Sequence, residues 1–272
     1  VKGETPIPCI TCNQTVKFVD MLNYSKKMGA RALATGHYIN RQIIDNYPQL
    51  FRAKDLSKDQ SYFLFSTTFE QLSFLRFPLG EFNKSKIRDF AKYFNLKVAE
   101  KPDSQDICFV PDGKYANLVR KLRPESIKQG SIYHVDGSYL GEHNGIIDYT
   151  IGQRKGIKIG GRKNVSPEDS ILYVVSIDEL NNKILVGPKK YLSCSEFLID
   201  DCNWIVKDAP FGLDVLVKLR NTSLPVKAKI EYNKMDKSVC VKLKKLEYGI
   251  SPGQAAVFYN ISNKDHVLGG GW

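Results

Sequence analysis

Nowhere in the 272 residues is there a run approaching the roughly 18 apolar side chains that a membrane-crossing helix needs, so a helical anchor is excluded and no membrane partner is expected. Cysteine is sparse. Six thiols are scattered without the dense, regular spacing of a secreted disulfide framework, so each is weighed for reactivity and a reducing, cytoplasmic compartment is expected. There is no second CxxC and no His pair at ligand spacing to complete a metal site, and no metal is expected. No GxxxxGK[ST] loop, GxGxxG turn or other phosphate cradle occurs, so a nucleotide site within these residues would be incomplete. The opening Val1-Lys2-Gly3-Glu4-Thr5-Pro6 has neither an initiator Met nor the apolar segment of a signal peptide; the expectation is a chain that starts mid-protein. Internal repeats and low-complexity stretches are also lacking.

What is abundant is positive charge. Forty Lys and Arg against 29 Asp and Glu leave a formal charge of +11, which favours a polyanionic partner through steering and counterion release. An inert basic surface is the alternative reading. The length suits two or three domains.

The texture changes twice along the chain. Val16, Phe18, Val19, Leu22 and Met28 follow helical spacing, with Gly29 as a C′ terminator, and a strand is expected over Ala32–Thr35. Ser57-Lys58-Asp59-Gln60 has the form of a capping box opening a second helix through Tyr62, Phe63 and Phe65. Ile87, Phe90, Ala91 and Phe94 predict a third helix, and Leu96–Ala99 a further strand. Helices alternating with short strands imply an α/β domain with a mostly parallel sheet. From about Lys114 to Lys190 glycines become frequent, which suggests a small, loop-rich central domain. Beyond Leu192 the period is two: Val226–Tyr232 alternates strictly, and Val215–Leu219, Val239–Leu243 and Ala255–Tyr259 read as further strands of an antiparallel β-barrel.

Several residues could carry chemistry. Cys9-Ile10-Thr11-Cys12 is a CxxC placed immediately before a helix, where the dipole favours a thiolate; half of a zinc site is the alternative. Cys108 is a lone thiol in the polar segment Lys101–Phe109, after the last strand of the α/β region, and could equally be a small buried hydrophobe. Cys194, Cys202 and Cys240 sit in or beside barrel strands and are expected to be buried and structural. His37 follows Gly36 at the end of a strand, where a ligand can approach the backbone; a structural imidazole is the alternative. Lys58-Asp59-Gln60 could be a solvated helix start, and Tyr149–Gly156 a plain basic turn. In the barrel, Lys218, Arg220, Lys227, Lys229, Lys242, Lys244 and Lys245 place charge largely on one side, suited to the backbone of structured RNA or to a solvated outer face.

Taken in order, Thr5–Asn13, Ala34–Tyr38, Ser57–Phe63, Phe77–Gly80, Asp103–Phe109, Tyr149–Gly156, Ser251–Ala255 and the terminal Leu268-Gly269-Gly270-Gly271-Trp272 resemble the tRNA-specific 2-thiouridylase family across essentially the whole chain. The resemblance implies an adenine-nucleotide α-hydrolase-like α/β domain over residues 1–113, incomplete because the family's Ser-Gly-Gly-Val-Asp-Ser-type pyrophosphate loop would lie upstream of Val1. It also implies a small central domain over residues 114–190 and a C-terminal antiparallel β-barrel over 191–272, the latter two both contacting tRNA. The implied reaction is ATP-dependent 2-thiolation of a wobble uridine, with Mg accompanying ATP. The C2 oxygen is adenylated, and a persulfide charged by a donor protein of a cysteine desulfurase pathway supplies sulfur.

By the same resemblance Cys108 matches the persulfide position and Cys12 its partner nucleophile, so that a Cys12–Cys108 disulfide could close during turnover. Cys9 stands where some members have an acid/base Asp and is left unassigned. Gly36 matches a nucleotide-touching position. His37, Lys58, Asp59, Gln60, Arg220, Asn221 and Gln254 match positions facing tRNA, as expected if the target base must leave its stack. A non-catalytic tRNA-binding fragment, favoured by the missing phosphate loop, and a thioredoxin-like oxidoreductase built on Cys9 and Cys12 are the competing readings.

Overall fold

The computed structural model describes residues 7–100, 115–122, 124, 127–160, 165–235 and 238–272. It opens with helix α1 (Pro8–Cys12), started by proline at its first position, where the missing N–H is no loss. The helix continues through a π-helical stretch, Asn13–Met21, into α2 (Leu22–Lys27). Gly29, at φ 75°, ends it as expected. The Gly29 N–H bonds Lys26 O and the Ala30 N–H bonds Ser25 O, a Schellman closure. Strand β1 (Leu33–Ala34) follows, then a hairpin of β2 (Ile39–Ile44) and β3 (Tyr47–Arg52). Its two-residue turn, Asp45-Asn46, takes φ of 50° and 62°, the left-handed pair that matches strand twist. Helix α3 (Phe69–Phe74) leads into β4 (Leu75–Arg76), which lies parallel to β1, and α4 (Lys84–Tyr93) forms where the apolar spacing predicts it.

Two expectations for this region fail. Ser57–Gln60 opens no α-helix: only a 3₁₀ turn, Ser61–Phe63, forms, because the Ser57 hydroxyl bonds Asp55 and the Asp59 carboxylate is taken up elsewhere. The reciprocal capping box belongs instead to Thr68 and Gln71 at the start of α3. Leu96–Ala99 is a turn, since Asn95 (φ 51°) terminates α4 and directs the Leu96 N–H back to Ala91 O.

The central region contains α5 (Tyr115–Leu122), β5 (Gly130–His134), β6 (Tyr139–His143), α6 (Pro167–Ser170), β7 (Tyr173–Asp178) and β8 (Lys183–Gly187). It is more ordered than its glycine content suggests: the strands make one sheet, β6-β5-β8-β7, over a core of Ile132, Val174, Ile184 and Val186. Gly130 is required there, for a Cβ would fall 2.1 Å from Asn182 O.

The C-terminal barrel strands are β9 (Ser193–Ile199), β10 (Asn203–Trp204), β11 (Asp214–Lys218), β12 (Val226–Tyr232), β13 (Val239–Tyr248), β14 (Ala256–Asn260) and β15 (His266–Gly271). The sheet does not stop at the barrel. Its order is β2-β3-β15-β14-β11-β12-β13-β9, with β10 also on β15, so the N-terminal hairpin extends it through Phe51↔His266 and Leu50↔Val267.

Among the described residues the chain forms two compact units, one of residues 7–100, 196–244 and 255–272, the other of residues 115–195 and 245–254. In the first unit β11, β14 and β15 are covered on both faces. Val215, Val217, Ala256, Phe258 and Leu268 face the barrel core, while Leu216, Val257, Tyr259 and Val267 join Ile10, Phe18, Leu50, Leu64 and Leu72 in a second core. Burial on both sides explains why β14 reads as a continuous apolar run, without alternation. It also explains three successive glycines in β15. Added Cβ atoms would lie 2.2 Å from Asn203 O at Gly269, 2.6 Å from Ala256 O at Gly270 and 2.8 Å from Asp200 O at Gly271.

Candidate functional site

Three of the motif segments meet in the first unit. Cys9 and Cys12 lie within α1 rather than ahead of it, one turn apart on one helix face, both half-buried. The next residue, Asn13, is buried and donates from Nδ2 to Phe63 O at 3.1 Å, tying the cysteine helix to the segment after Gln60. Further along, Phe18 meets the His37 ring edge-on at 5.9 Å between centroids.

His37 follows β1, whose pairing to β4 extends one step through the Thr35 N–H to Arg76 O, 3.0 Å. The imidazole is buried, and its Nδ1 lies 2.8 Å from Thr35 Oγ1. Burial, and secondarily the charge of Lys17, pushes its pKa down to about 4, so at neutral pH it is an uncharged hydrogen-bonding ring. Gly36 beside it is exposed. A Cβ there would meet only Leu79 Cδ1, at an ordinary 3.7 Å, so packing within the described protein does not require a glycine.

Gln60 clamps this segment: its Oε1 accepts from the Tyr38 N–H at 2.9 Å, and its own N–H donates to Tyr38 O at 3.0 Å. Asp59 is no solvated helix start. It is buried, with Oδ1 accepting from the Ala53 and Ser61 N–H groups and Oδ2 from Arg52 Nε at 3.1 Å and Ser61 Oγ at 2.7 Å. Ser61 Oγ is in turn 2.8 Å from the buried Tyr259 hydroxyl, which burial and Asp59 keep protonated. Lys58 is half-buried, with its N–H on Asp55 O.

Arg220 and Asn221 occupy a turn after β11 in which Ser223 Oγ accepts from the Arg220 N–H at 3.2 Å and donates to Arg220 O at 3.0 Å. The Tyr62 hydroxyl reaches this neighbourhood, donating to Ala255 O at 2.9 Å. Arg220 is half-buried and Asn221 exposed. Gln254 belongs to the other unit, where its N–H closes a turn on Ser251 O. Cys108 and its segment lie outside the described residues.

The lysine stripe is narrower than expected. Lys218 points away from it, buried beside Asp59 and Arg52, and desolvation lowers its pKa. Lys242 pairs with Glu231 at 2.7 Å and Lys244 with Asp214 at 3.1 Å; Lys227 and Lys245 are exposed. Cys202 is pushed up to about 11 by burial and then by Asp200 and Asp201, and Cys240 is raised by burial, so neither offers a thiolate at neutral pH. Among the partners that complete the site, Arg52 and Tyr259 carry no signal in the sequence, Ser61 and Tyr62 lie in the Ser57–Phe63 motif without a role of their own, and Lys218 reads there as a surface charge. Arg52 and Ser61 are close to Asp59 in sequence, whereas Tyr259 and Lys218 come near it only through long-range packing.

Three family models match the chain end to end: a tRNA methyl transferase HUP domain over residues 1–112, a tRNA methyl transferase PRC-barrel domain over 117–188 and an aminomethyltransferase beta-barrel domain over 194–272. The chain is 49% identical over 270 residues to the tRNA-specific 2-thiouridylase MnmA of Sphingopyxis alaskensis, covering 99% of this chain and 67% of that protein. It is 49% identical to the MnmA of Maricaulis maris, with 99% and 65% covered, and 49% identical to that of Rickettsia canadensis, with 100% and 72% covered. It thus spans about two thirds of the length of these relatives.

Proposed function

Because the chain belongs to the tRNA-specific 2-thiouridylase family, we propose that it serves in forming 2-thiouridine in tRNA, replacing the C2 oxygen of a wobble uridine by sulfur. The observation that carries this reading is the convergence of the Cys12 helix, His37 and Gln60 through the Asn13–Phe63, Phe18–His37 and Gln60–Tyr38 contacts. A cysteine, a neutral imidazole and rigidly held backbone around one extruded base suit thiol chemistry on a nucleobase.

ATP is the co-substrate in this reading, and supplies the adenylyl group that turns the C2 oxygen into a leaving group. Gly36 fits contact with it, since the space its missing side chain leaves is unused by the described protein. The terminal sulfur of a Cys108 persulfide attacks C2 as AMP departs with the oxygen. The Cys12 thiolate then attacks Cys108 Sγ, which closes a disulfide and releases the thiolated base. A persulfide-carrying donor protein recharges Cys108 once the disulfide is reduced. His37, Lys58, Gln60, Arg220, Asn221 and Gln254 face tRNA, and the exposed lysines of β12 and β13 add attraction for its backbone. Asp59 is a tRNA-facing position by family; with its carboxylate spent on Arg52, Ala53 and Ser61, it serves by positioning Lys58 and Gln60 on either side. The reaction is placed in the cytoplasm, where tRNA and reducing conditions coincide.

The test is Cys108→Ser in the protein as its own source makes it, assayed for ATP-dependent 2-thiouridine by nucleoside mass spectrometry. Product should vanish while tRNA affinity stays within about twofold. Wild-type product levels would remove the persulfide assignment, and absence of product in the unmodified protein would favour a tRNA-binding role without catalysis.

A further inference from the structure

A second set of cations sits apart from the residues discussed so far. Arg41, on β2, and Arg76, at the end of β4, line one open depression of about 370 Å³ together with Ala34, Asn40, Phe77 and Glu81. The depression lies at the carboxyl ends of the parallel strands β1 and β4, where open α/β sheets gather ligands.

Both guanidinium groups are held in place by backbone. Arg41 Nε donates to Leu72 O at 2.6 Å, and Arg76 Nη1 donates to Ser73 O at 2.9 Å and Leu75 O at 2.8 Å, so the two side chains grip the C-terminal turn of α3. That leaves both Nη groups of Arg41, and Nε and Nη2 of Arg76, without an acceptor among the described residues. Among the described residues neither arginine pairs with a carboxylate, Glu81 included. Two like charges fixed side by side repel, and Arg41 shows it: burial and the charge of Arg76 lower its proton affinity. A purely structural clamp on three carbonyls needs neither two charges nor a shared depression. An anion with several oxygens answers both, because a guanidinium presents its donors in a rigid fork that matches phosphate.

We infer that Arg41 and Arg76 together form a binding site for a single phosphate group, contributed by the backbone of the bound RNA. The openness of the depression and the absence of a glycine-rich cradle among its lining residues suit a phosphodiester lying across it better than an engulfed nucleotide. The inference rests on the tRNA reading above and adds an anchor on the Gly36–His37 side of the target base.

The test uses the 272-residue chain, wild type and R41Q/R76Q, titrated with tRNA across a series of salt concentrations. Glutamine keeps an amide donor for the helix carbonyls but removes the charge. Losing one phosphate contact should weaken binding by about tenfold at low salt and make the slope of log K against log salt shallower by about 0.7–0.9. Arg76 is exposed, so R76Q alone is the reserve if the double variant fails to fold, with a smaller change in the same direction. A folded variant with an unchanged slope overturns the site. If that variant instead loses ATP binding at an unchanged RNA slope, the phosphate comes from a nucleotide and the RNA assignment fails. A wild-type chain that does not bind tRNA at all would sink the functional reading itself, which a slope difference cannot do.

Discussion

Residues 57–65 and helix α4, Lys84–Tyr93, both lie within the first hundred residues and both read as helical in the sequence, yet they have opposite fates. The first makes no α-helix and is a buried junction: Asp59 joins Arg52, Ala53 and Ser61, and through Ser61 reaches Tyr259 in the middle of the barrel sheet. The second forms the helix its periodicity predicts but fully buries none of its side chains, with Ile87, Phe90 and Ala91 only half-buried. Helical spacing reports a face suited to packing, whereas the strength with which a segment is held depends on what it meets. The segment that carries tRNA-matching residues is the one held fast.

That contrast sets the scale of four expected effects. Asp59→Ala removes the buried carboxylate beside the half-buried Arg52, which keeps only Asp265 at 4.0 Å, and beside the buried Lys218, and should cost about 3 kcal/mol in a denaturant titration; a loss under about 1 kcal/mol would mean the junction is not held by this charge. His37 offers a pH test of the same region. Its folded pKa, about 4, lies below the unfolded value, so its contribution is complete above pH 6.5. As pH falls from 6.5 to 4 the unfolded chain takes up a proton that the folded one refuses, and roughly 3 kcal/mol is lost. His37→Gln should flatten that part of the stability profile, and an unchanged slope would show that other groups cause it. Thr68→Ala removes one half of the capping box on α3, between the two segments, and should lower stability by about 1 kcal/mol. Tyr93→Ala, on the exposed side of α4, should change it by less than about 0.5 kcal/mol; a larger loss would show that this face of α4 is covered as well and would erase the comparison.

How much could be read beforehand depended on how local the cause was. β12 was legible because Ala228 and Ile230 point into the core while Lys227 and Lys229 point out. The closure of α2 needed only Gly29 and its neighbours. The β2–β3 hairpin was missed although Asp45-Asn46 is a left-handed turn pair, since Pro48 and the polar Asn40, Arg41 and Gln42 obscure the strands around it. At the site, the motif order and its resemblance point to Cys12, His37 and Gln60. Asp59 matches a tRNA-facing position, but no local pattern marks its carboxylate as the acceptor for Arg52, Ala53 and Ser61, and Tyr259 and Lys218 come near only once the sheet has assembled. Alternation puts Lys218 with the other barrel lysines on one side, a rule that fails where a strand is covered on both faces.

That double covering has a consequence for synthesis. β3 borders β15, so the edge offered by Leu50 and Phe51 has no neighbour until Val267 and His266 have left the ribosome. At about 5–20 residues per second, the hairpin waits on the order of ten to forty seconds with an unpaired strand edge in view, a window in which a chaperone or another nascent chain can reach it first.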